Sequence, residues 1–542
     1  MAFLPLKHGY SLYDYQIECI KQMEHVDFKH GIKGMILSLD MGLGKTLISL
    51  AYMWKHRISS HPSLVVVSKT LMYEWKNQIE TLFDGSIKIL YYHKDFCSPD
   101  EVSGMIAKNY DIVITTYDVI LKASKVKKIY LESTLIRGDK HSLMKDKVID
   151  IVVRPKIKDN PVISGLHFLF ENKWNIIVAD ESQRFGNRNT KLFRAMMALY
   201  ALNMKFCLTG TPIRNDGNDL HSQMRWLGLP TQECFMRSFA TLGLNKYLIR
   251  KTVRSVGMIL PPKRIFRIEI LLKDKNLDCY IIHLGVLTRA HRDFVFGIVN
   301  YACVLEAFLR LRQVCISPYM ISKRAGQRVL NDDKKDLGYL KEDFRNWVCD
   351  KNGNSGLRSP KIIVVKQILK TIPKGQKVLI FSSFVSCLNL LHSSLQKKTE
   401  PDYVTLVTGS ICGKKRMLLL EQFKTKKTAK VLLIHYKVGS EGLNIPQANH
   451  IICMEPWWNH STHEQAIARA WRNGQQSAVT VRFIVCKYTI ECTIMDLCKY
   501  KRNTSRYYID NGNYAGQRKR ISRSELGSLI SGANYSIKQN KN

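Results

Sequence analysis

Met35-Ile36-Leu37-Ser38-Leu39-Asp40-Met41-Gly42-Leu43-Gly44-Lys45-Thr46-Leu47 is the stretch from which the rest of the chain can be read. Met35–Leu39 is an apolar run of strand length, and Leu47–Trp54 continues with helical spacing. A glycine-bearing turn between a strand and a helix is the context that a phosphate-binding loop needs. Glycines let backbone N–H groups close around phosphate oxygens, and the helix N-terminus adds the positive end of its dipole. Met41, Gly42, Leu43, Gly44, Lys45 and Thr46 are therefore candidate nucleotide ligands. Lys45 would reach the β/γ-phosphates and the Thr46 hydroxyl would hold Mg²⁺. Leu39 stands where the usual pattern has its first glycine.

A second apolar run, Ile176-Ile177-Val178-Ala179, ends in Asp180-Glu181. In a parallel sheet, ligands gather beyond the carboxyl ends of the strands, so this pair is expected beside the phosphate loop. Asp180 would hold Mg²⁺, and Glu181 would polarise an attacking water. Further on, Gln465, Arg469 and Arg472 are spaced by four and three residues, which predicts one helix face. Guanidinium groups directed at a γ-phosphate stabilise transition-state charge. A surface ion-pair face is the plain alternative for this trio.

The chain has 542 residues and is 45% hydrophobic and 10% aromatic, enough apolar material for several packed cores and too much for wholesale disorder. Lysine and arginine number 83 against 45 acidic residues, a formal charge of +38, which calls for a polyanionic partner such as nucleic acid. No uncharged apolar run of about 18 residues is present, as a membrane span would need. Met1–Tyr10 lacks a secretory pattern, so an intracellular soluble protein is expected. The cysteines stand far apart without zinc-ligand spacing and read as reduced, mostly buried thiols.

Strand-like runs recur at Leu64–Val67, Asp111–Thr115 and Phe206–Leu208, with helical patterns such as Leu71–Leu82 and Thr190–Leu202 between them. The series restarts at Val378–Phe381, Val404–Val407, Val431–Ile434, His450–Met454 and Val479–Val485. Continuous apolar strands alternating with helices predict parallel sheets covered on both faces. The expected organisation is lobe one at 1–272 with a basic insertion at about 121–173, a helical protrusion and linker at 273–358, lobe two at 359–498, and a basic tail at 499–542.

Together these segments resemble the superfamily-two helicase-like ATPases, and within them the Swi/Snf type of DNA translocase. Leu12-Tyr13-Asp14-Tyr15-Gln16 resembles the adenine-reading segment, with Gln16 as reader. Val65–Trp75 and Asp111–Tyr117 resemble nucleic-acid-tracking segments of lobe one, and Leu208-Thr209-Gly210-Thr211-Pro212 the coupling motif. Leu260-Pro261-Pro262-Lys263 and Leu311-Arg312-Gln313-Val314-Cys315 resemble landmarks of the helical protrusion. Val378–Phe384, Thr408-Gly409-Ser410 and Lys437–Asn444 resemble nucleic-acid-contacting segments of lobe two, while Pro456-Trp457-Trp458-Asn459 and Gln465–Gln475 are closest to the repair-linked branch.

The departures also carry information. Gln183 replaces the usual histidine of the acidic motif, Ser68 a common proline, and Ser440-Glu441 small apolar residues. Ile316–Arg358 holds only Cys349, so a zinc-bound insert found in the repair-linked branch is absent there. The compact form resembles versions encoded by large DNA viruses.

The resemblance implies an α/β fold with two RecA-like parallel-sheet lobes and a helical protrusion between them. It also implies an ATP hydrolase using ATP and Mg²⁺, translocating along duplex DNA to remodel or displace DNA-bound proteins, a polymerase among them. Contacts to phosphates would come from Ser68, Lys69, Thr115, Thr116, Ser382, Lys437 and Gly439. Nucleus, viral factory or virion are the compartments it suggests. Strand separation, a transcription-associated ATPase and a non-catalytic DNA-binding scaffold remain the alternatives at this point.

Overall fold

The computed structural model describes residues 4–25, 33–97, 107, 109–126, 168–213, 217–228, 247–321, 359–396, 402–411, 413–439 and 444–511. Most of the basic stretch 121–173, the polar segment 322–358, Ser440 and Glu441, and the tail beyond 511 lie outside the described residues. The chain divides into two units, one built on Met1–Ile259 and the other on Leu260–Asn503.

The first unit carries a seven-stranded sheet. Its strands are β1 (Gly34–Leu39), β2 (Ser63–Val67), β3 (Ile89–Tyr92), β4 (Ile112–Thr116), β5 (Trp174–Asp180), β6 (Ala201–Thr209) and β7 (Leu248–Lys251). The order across the sheet is β3-β4-β2-β5-β6-β1-β7, and every pairing is parallel. β1, β2, β4 and β5 are buried along their whole length, which explains why they read as unbroken apolar runs rather than as alternating patterns. The helix Lys69–Leu82 starts where the Ser68 hydroxyl accepts the Leu71 N–H (3.4 Å), and it buries Met72, Trp75 and Ile79.

The second unit carries a six-stranded parallel sheet in the order β10-β11-β9-β12-β13-β8. Its strands are β8 (Lys263–Ile270), β9 (Lys377–Ser382), β10 (Val404–Val407), β11 (Val431–His435), β12 (Ala448–Cys453) and β13 (Val479–Cys486). Successive residues of β9 and β11 feed opposite sides. Leu379, Phe381, Leu432 and Ile434 enter one core, and Val378, Ile380, Val431 and Leu433 the other. The helices Asp274–Val295 and Tyr301–Ile316 pack as a pair, sharing a core with Cys486, Ile490 and Ile494. Two RecA-like parallel sheets with helices, and a helical pair in the chain segment between their main series of strands, is the architecture expected.

Three strands escaped the sequence reading. β3 and β7 are short, and charge interrupts the apolar pattern of Lys263-Arg264-Ile265-Phe266-Arg267-Ile268-Glu269-Ile270. β8 was grouped with lobe one, yet it pairs with β13 over its full length, from Lys263 opposite Val479 to Ile270 opposite Cys486. The first sheet therefore ends at β7. The helical pattern over Thr190–Leu202 shrinks to Lys191–Met197, because β6 already begins at Ala201. No disulfide joins cysteines among the described residues, and no helix there is long and apolar enough to cross a membrane.

Candidate functional site

β1 delivers the chain to the loop Asp40–Gly44 at the carboxyl end of the first sheet. Gly42 and Gly44 adopt positive φ, 90° and 75°, the left-handed region that an L side chain rarely enters. At Gly44 a Cβ would also stand 2.3 Å from Gln16 Nε2, so this turn admits only glycine. The helix Lys45–Lys55 follows with Gly44 as its N-cap and no side-chain cap hydrogen bond. Lys45 Nζ donates to the carbonyls of Leu39 (2.8 Å) and Asp40 (3.3 Å), curling its ammonium over the loop mouth. Gly210 lies against it, where an added Cβ would be 3.9 Å from that Nζ.

Gln16 is buried behind the same loop. Its Oε1 accepts the Tyr13 N–H (3.0 Å), and its Nε2 donates to the Leu43 carbonyl (3.4 Å). Tyr15 donates its hydroxyl to that carbonyl as well (3.2 Å), and its ring stacks on exposed Tyr13 with centroids 5.7 Å apart. The segment thus braces the phosphate loop and presents a tyrosine face beside it.

β5 places Asp180 next to Leu208 of β6, and β6 places Thr209 next to Ser38 of β1. The acidic pair, the loop and the Thr209-Gly210-Thr211 segment therefore meet at adjacent strand ends. Asp180 is 6% exposed. Trp75 Nε1 donates to its Oδ2 (2.9 Å) and the Glu181 N–H to its Oδ1 (2.9 Å), while Tyr117 donates to its main-chain carbonyl (2.7 Å). Burial pushes its carboxyl up to about 6, helped by Glu181 and opposed by the Trp75 hydrogen bond and the Lys45 charge. Glu181 occupies the left-handed region at φ 52°, strain of the kind that tight functional turns hold. Gln183 Nε2 donates to its carboxylate.

A buried relay ties this turn to the next motif. Ser182 donates to Gln223 Oε1 (2.7 Å), and Gln223 Nε2 donates to the carbonyls of Pro212 (2.8 Å) and Asp219 (3.0 Å). From β7, Arg250 Nη1 donates to Ser38 Oγ (3.0 Å) and its other Nη lies 3.7 Å from Asp40 Oδ1. Sequence reasoning gave no such roles to Trp75, Tyr117, Gln223 or Arg250. Trp75, Tyr117 and Arg250 lie far along the chain from their partners, and no local pattern marks them.

The residues fit a nucleoside triphosphate: a lysine over a glycine turn, a helix N-terminus without a side-chain cap and a buried carboxylate at the neighbouring strand end. They also fit Mg²⁺ held jointly with phosphate. Among the described residues no group of three or more His, Cys, Asp or Glu could hold a metal alone, and Mg²⁺ keeps substrate and water ligands in such sites.

In the second unit the helix expected to carry Gln465, Arg469 and Arg472 on one face stops at Ile467, beyond Gln465 only. The chain then turns. The N–H groups of Arg469 and Ala470 donate to the carbonyls of Ala466 (3.2 Å) and Ile467 (3.1 Å), Gly474 takes φ 91°, and Gln475 Nε2 donates to the Pro446, Ala448 and Ala470 carbonyls. Arg469 is 5% exposed with its Nε donating to the Gln465 carbonyl (2.9 Å); Arg472 sits in the turn beyond.

Of the expected nucleic-acid contacts, four hydroxyls face inward. Ser68 caps its helix, Thr115 donates to the Tyr92 carbonyl (3.0 Å), Thr116 accepts the Val119 N–H (3.3 Å), and Ser382 donates to buried Glu455 (3.0 Å). Each of these four residues is at most 2% exposed, so against the expectation none of them presents a surface to a phosphate. Lys69 is half exposed and paired with Asp95 (2.9 Å), and Lys437 is exposed on the helical turn Tyr436–Gly439 that Gly439 closes.

The chain is similar to several known proteins. Residues 15–320 match the SNF2-related domain and residues 360–474 the helicase conserved C-terminal domain. A protein named as a helicase, 172L of Invertebrate iridescent virus 6, is 33% identical over 94% of this chain and 92% of its own length. Chromodomain-helicase-DNA-binding protein 8 of Danio rerio is 24% identical over 99% of this chain, which spans only 20% of that protein. A Sulfolobus solfataricus SWI2/SNF2 ATPase core solved with dsDNA aligns over 98% of this chain and 99% of its own, at 22% identity and a TM-score of 0.37. The chain belongs to the SNF2-related, Swi/Snf-type family of helicase-like enzymes that hydrolyse ATP.

Proposed function

We propose that the protein is a DNA-dependent ATPase that moves along duplex DNA and remodels or displaces proteins bound to it. The observation that carries this reading is the convergence of Lys45, buried Asp180 with Glu181 beside it, and the Thr209–Thr211 segment at neighbouring strand ends of one parallel sheet. In a family of ATP-driven motors, that convergence supplies the engine. The charge of +38 supports a polyanionic track.

In this reading the N–H groups of the loop Met41–Thr46 and the Lys45 ammonium bind the β- and γ-phosphates, and Tyr13 and Gln16 flank the base. Thr46 and Asp180 hold Mg²⁺, which when bound draws charge from the phosphate oxygens. Glu181 orients the attacking water and accepts its proton. Gln465, Arg469 and Arg472 of the second unit stabilise charge on the γ-phosphoryl group, so turnover depends on both units. The relay Ser182–Gln223–Pro212 passes the state of the acidic turn to the segment after β6. Lys69 and Lys437, with the chain around Gly439, grip phosphates without reading bases.

The test is ATP hydrolysis by the purified protein with no nucleic acid, single strands, blunt duplex DNA and RNA. Strong stimulation by blunt duplex supports the motor reading. Stimulation only by single strands or RNA would replace it with strand separation or transcript-linked action.

A further inference from the structure

Arg312, on the helix Tyr301–Ile316, is fully buried, a rare setting for a guanidinium. Its Nη2 donates to the Pro456 carbonyl (3.0 Å), while Nε and Nη1 find no acceptor among the described residues. Aromatic rings surround it instead. The guanidinium carbon lies 4.9 Å from the Trp457 ring centre, 5.1 Å from that of Trp458 and 5.2 Å from that of Phe384. Trp457 and Trp458 stack on each other at 4.1 Å, and Phe308 of the arginine's own helix meets Trp458 at 6.1 Å.

The loop so gripped leads directly into the helix His460–Ile467. The Trp457 N–H donates to His463 Nε2 (2.9 Å), and His463 Nδ1 lies 3.4 Å from the Tyr436 hydroxyl, in the turn that carries Lys437. His463 is buried and held neutral, so Nε2 is free to accept from the loop and Nδ1 carries the proton toward Tyr436. Phe384 follows Ser382 and Ser383, whose hydroxyls both donate to Glu455. Arg312 therefore touches, at one point, the segment after β9 and the loop that starts the helix leading to Arg469.

A buried charge with two nitrogens left without an acceptor costs more than an aliphatic side chain of the same length would. Stability alone does not account for it. The geometry points to Arg312 as a positioning residue. It locks the Pro456–Asn459 loop against the helical pair, so that Gln465 and Arg469 are held in register for the reaction assigned above. This inference rests on that reading of Arg469.

The test is a double-mutant cycle between Arg312→Lys and Arg469→Ala, read in single-turnover ATP hydrolysis normalised to the fraction of protein that binds nucleotide. Arg312→Lys keeps the charge and loses the planar stack. It is expected to lower kcat at least tenfold with the KM for ATP within about twofold, and to have no further effect once Arg469 is alanine. Trp458→Leu, at a half-buried ring, should show the same pattern, and Trp458→Phe should restore turnover; this pair reports even if Arg312→Lys does not fold. Normal turnover in Arg312→Lys and Trp458→Leu, or an equal loss in the Arg469→Ala background, would overturn the proposal. Absence of duplex stimulation in the wild type would instead sink the motor reading, and the cycle would still be read in the basal rate.

Discussion

The amide of Gln183 donates to the carboxylate of Glu181, two residues away across a turn in which Glu181 itself stands at φ 52°. A glutamate in this backbone conformation has its direction set by what it binds. Gln183→Leu removes the donor at constant size, and the hydrolysis rate should fall about tenfold to a hundredfold while nucleotide affinity stays within about twofold. Gln183→His should recover part of the rate and add a pH dependence near the imidazole range. An unchanged rate in Gln183→Leu would show that Glu181 needs no such support.

Lys45 and Arg469 should separate in their effects. Lys45→Ala removes the ammonium curled over the loop, so both nucleotide binding and hydrolysis should be lost. Arg469→Ala should leave nucleotide affinity unchanged and cut turnover by about a thousandfold or more. Equilibrium binding of a fluorescent nucleotide beside single-turnover hydrolysis checks both. Near-normal turnover in Arg469→Ala would exclude the second unit from the chemistry.

The pH profile follows from Asp180, whose carboxyl is pushed up to about 6 by burial and then by Glu181. It acts ionised, so kcat/KM for ATP should rise about tenfold per pH unit below that value and level off above it. Stability has the opposite sign. The folded state binds this proton more tightly than the unfolded chain does, so the contribution is full below about 4 and is lost as pH rises through about 6. The difference in melting temperature between wild type and Asp180→Asn should therefore widen in favour of the variant from pH 4 to pH 7. A flat activity profile between pH 5 and 7 would contradict the assignment.

Lys361 and Glu491 form an ion pair with both side chains fully buried, Nζ lying 2.7 Å from each carboxylate oxygen. The ammonium also donates to the carbonyls of Met454 and Ile484, the Ile484 one within β13. Burial alone would depress the lysine pKa, yet Glu491 holds it above its ordinary value. Glu491→Gln strands the charge and should cost about 3–5 kcal/mol, seen as a large fall in melting temperature. Lys361→Met with Glu491→Leu together should recover most of that loss. Equal losses in the single and double variants would mean the pair contributes only shape.

What could be read from the chain follows how local its determinants are. β1, β2, β4, β5, β9 and β11 announce themselves because burial on both faces demands nearly unbroken apolar runs. β8 does not, because an edge strand tolerates Arg264 and Arg267 among its apolar residues. Lys45, Asp180 and Glu181 stand out because loop, lysine and strand-end carboxylates are written in consecutive residues. Trp75 and Arg250 act across long separations, which spacing cannot encode. The hydroxyls of Thr115, Thr116 and Ser382 were legible as polar residues at strand ends, but whether they face solvent is decided by packing. The arginine face failed for a related reason: the helix ends at Ile467, where the chain turns, before it reaches Arg469 and Arg472.

The pairing of β8 with β13 also dictates an order of events at the ribosome. About two hundred residues separate the two strands, so β8 leaves the exit tunnel long before β13, its neighbour in the sheet among the described residues, exists. All seven strands of the first sheet will already have been synthesised, while Ile265 and Phe266 wait without a partner. Arg264 and Arg267, flanking those two side chains, oppose the edge-to-edge association that such a waiting strand invites. Charges that obscure β8 to a reader of the sequence thus guard the nascent chain during the interval before β13 arrives.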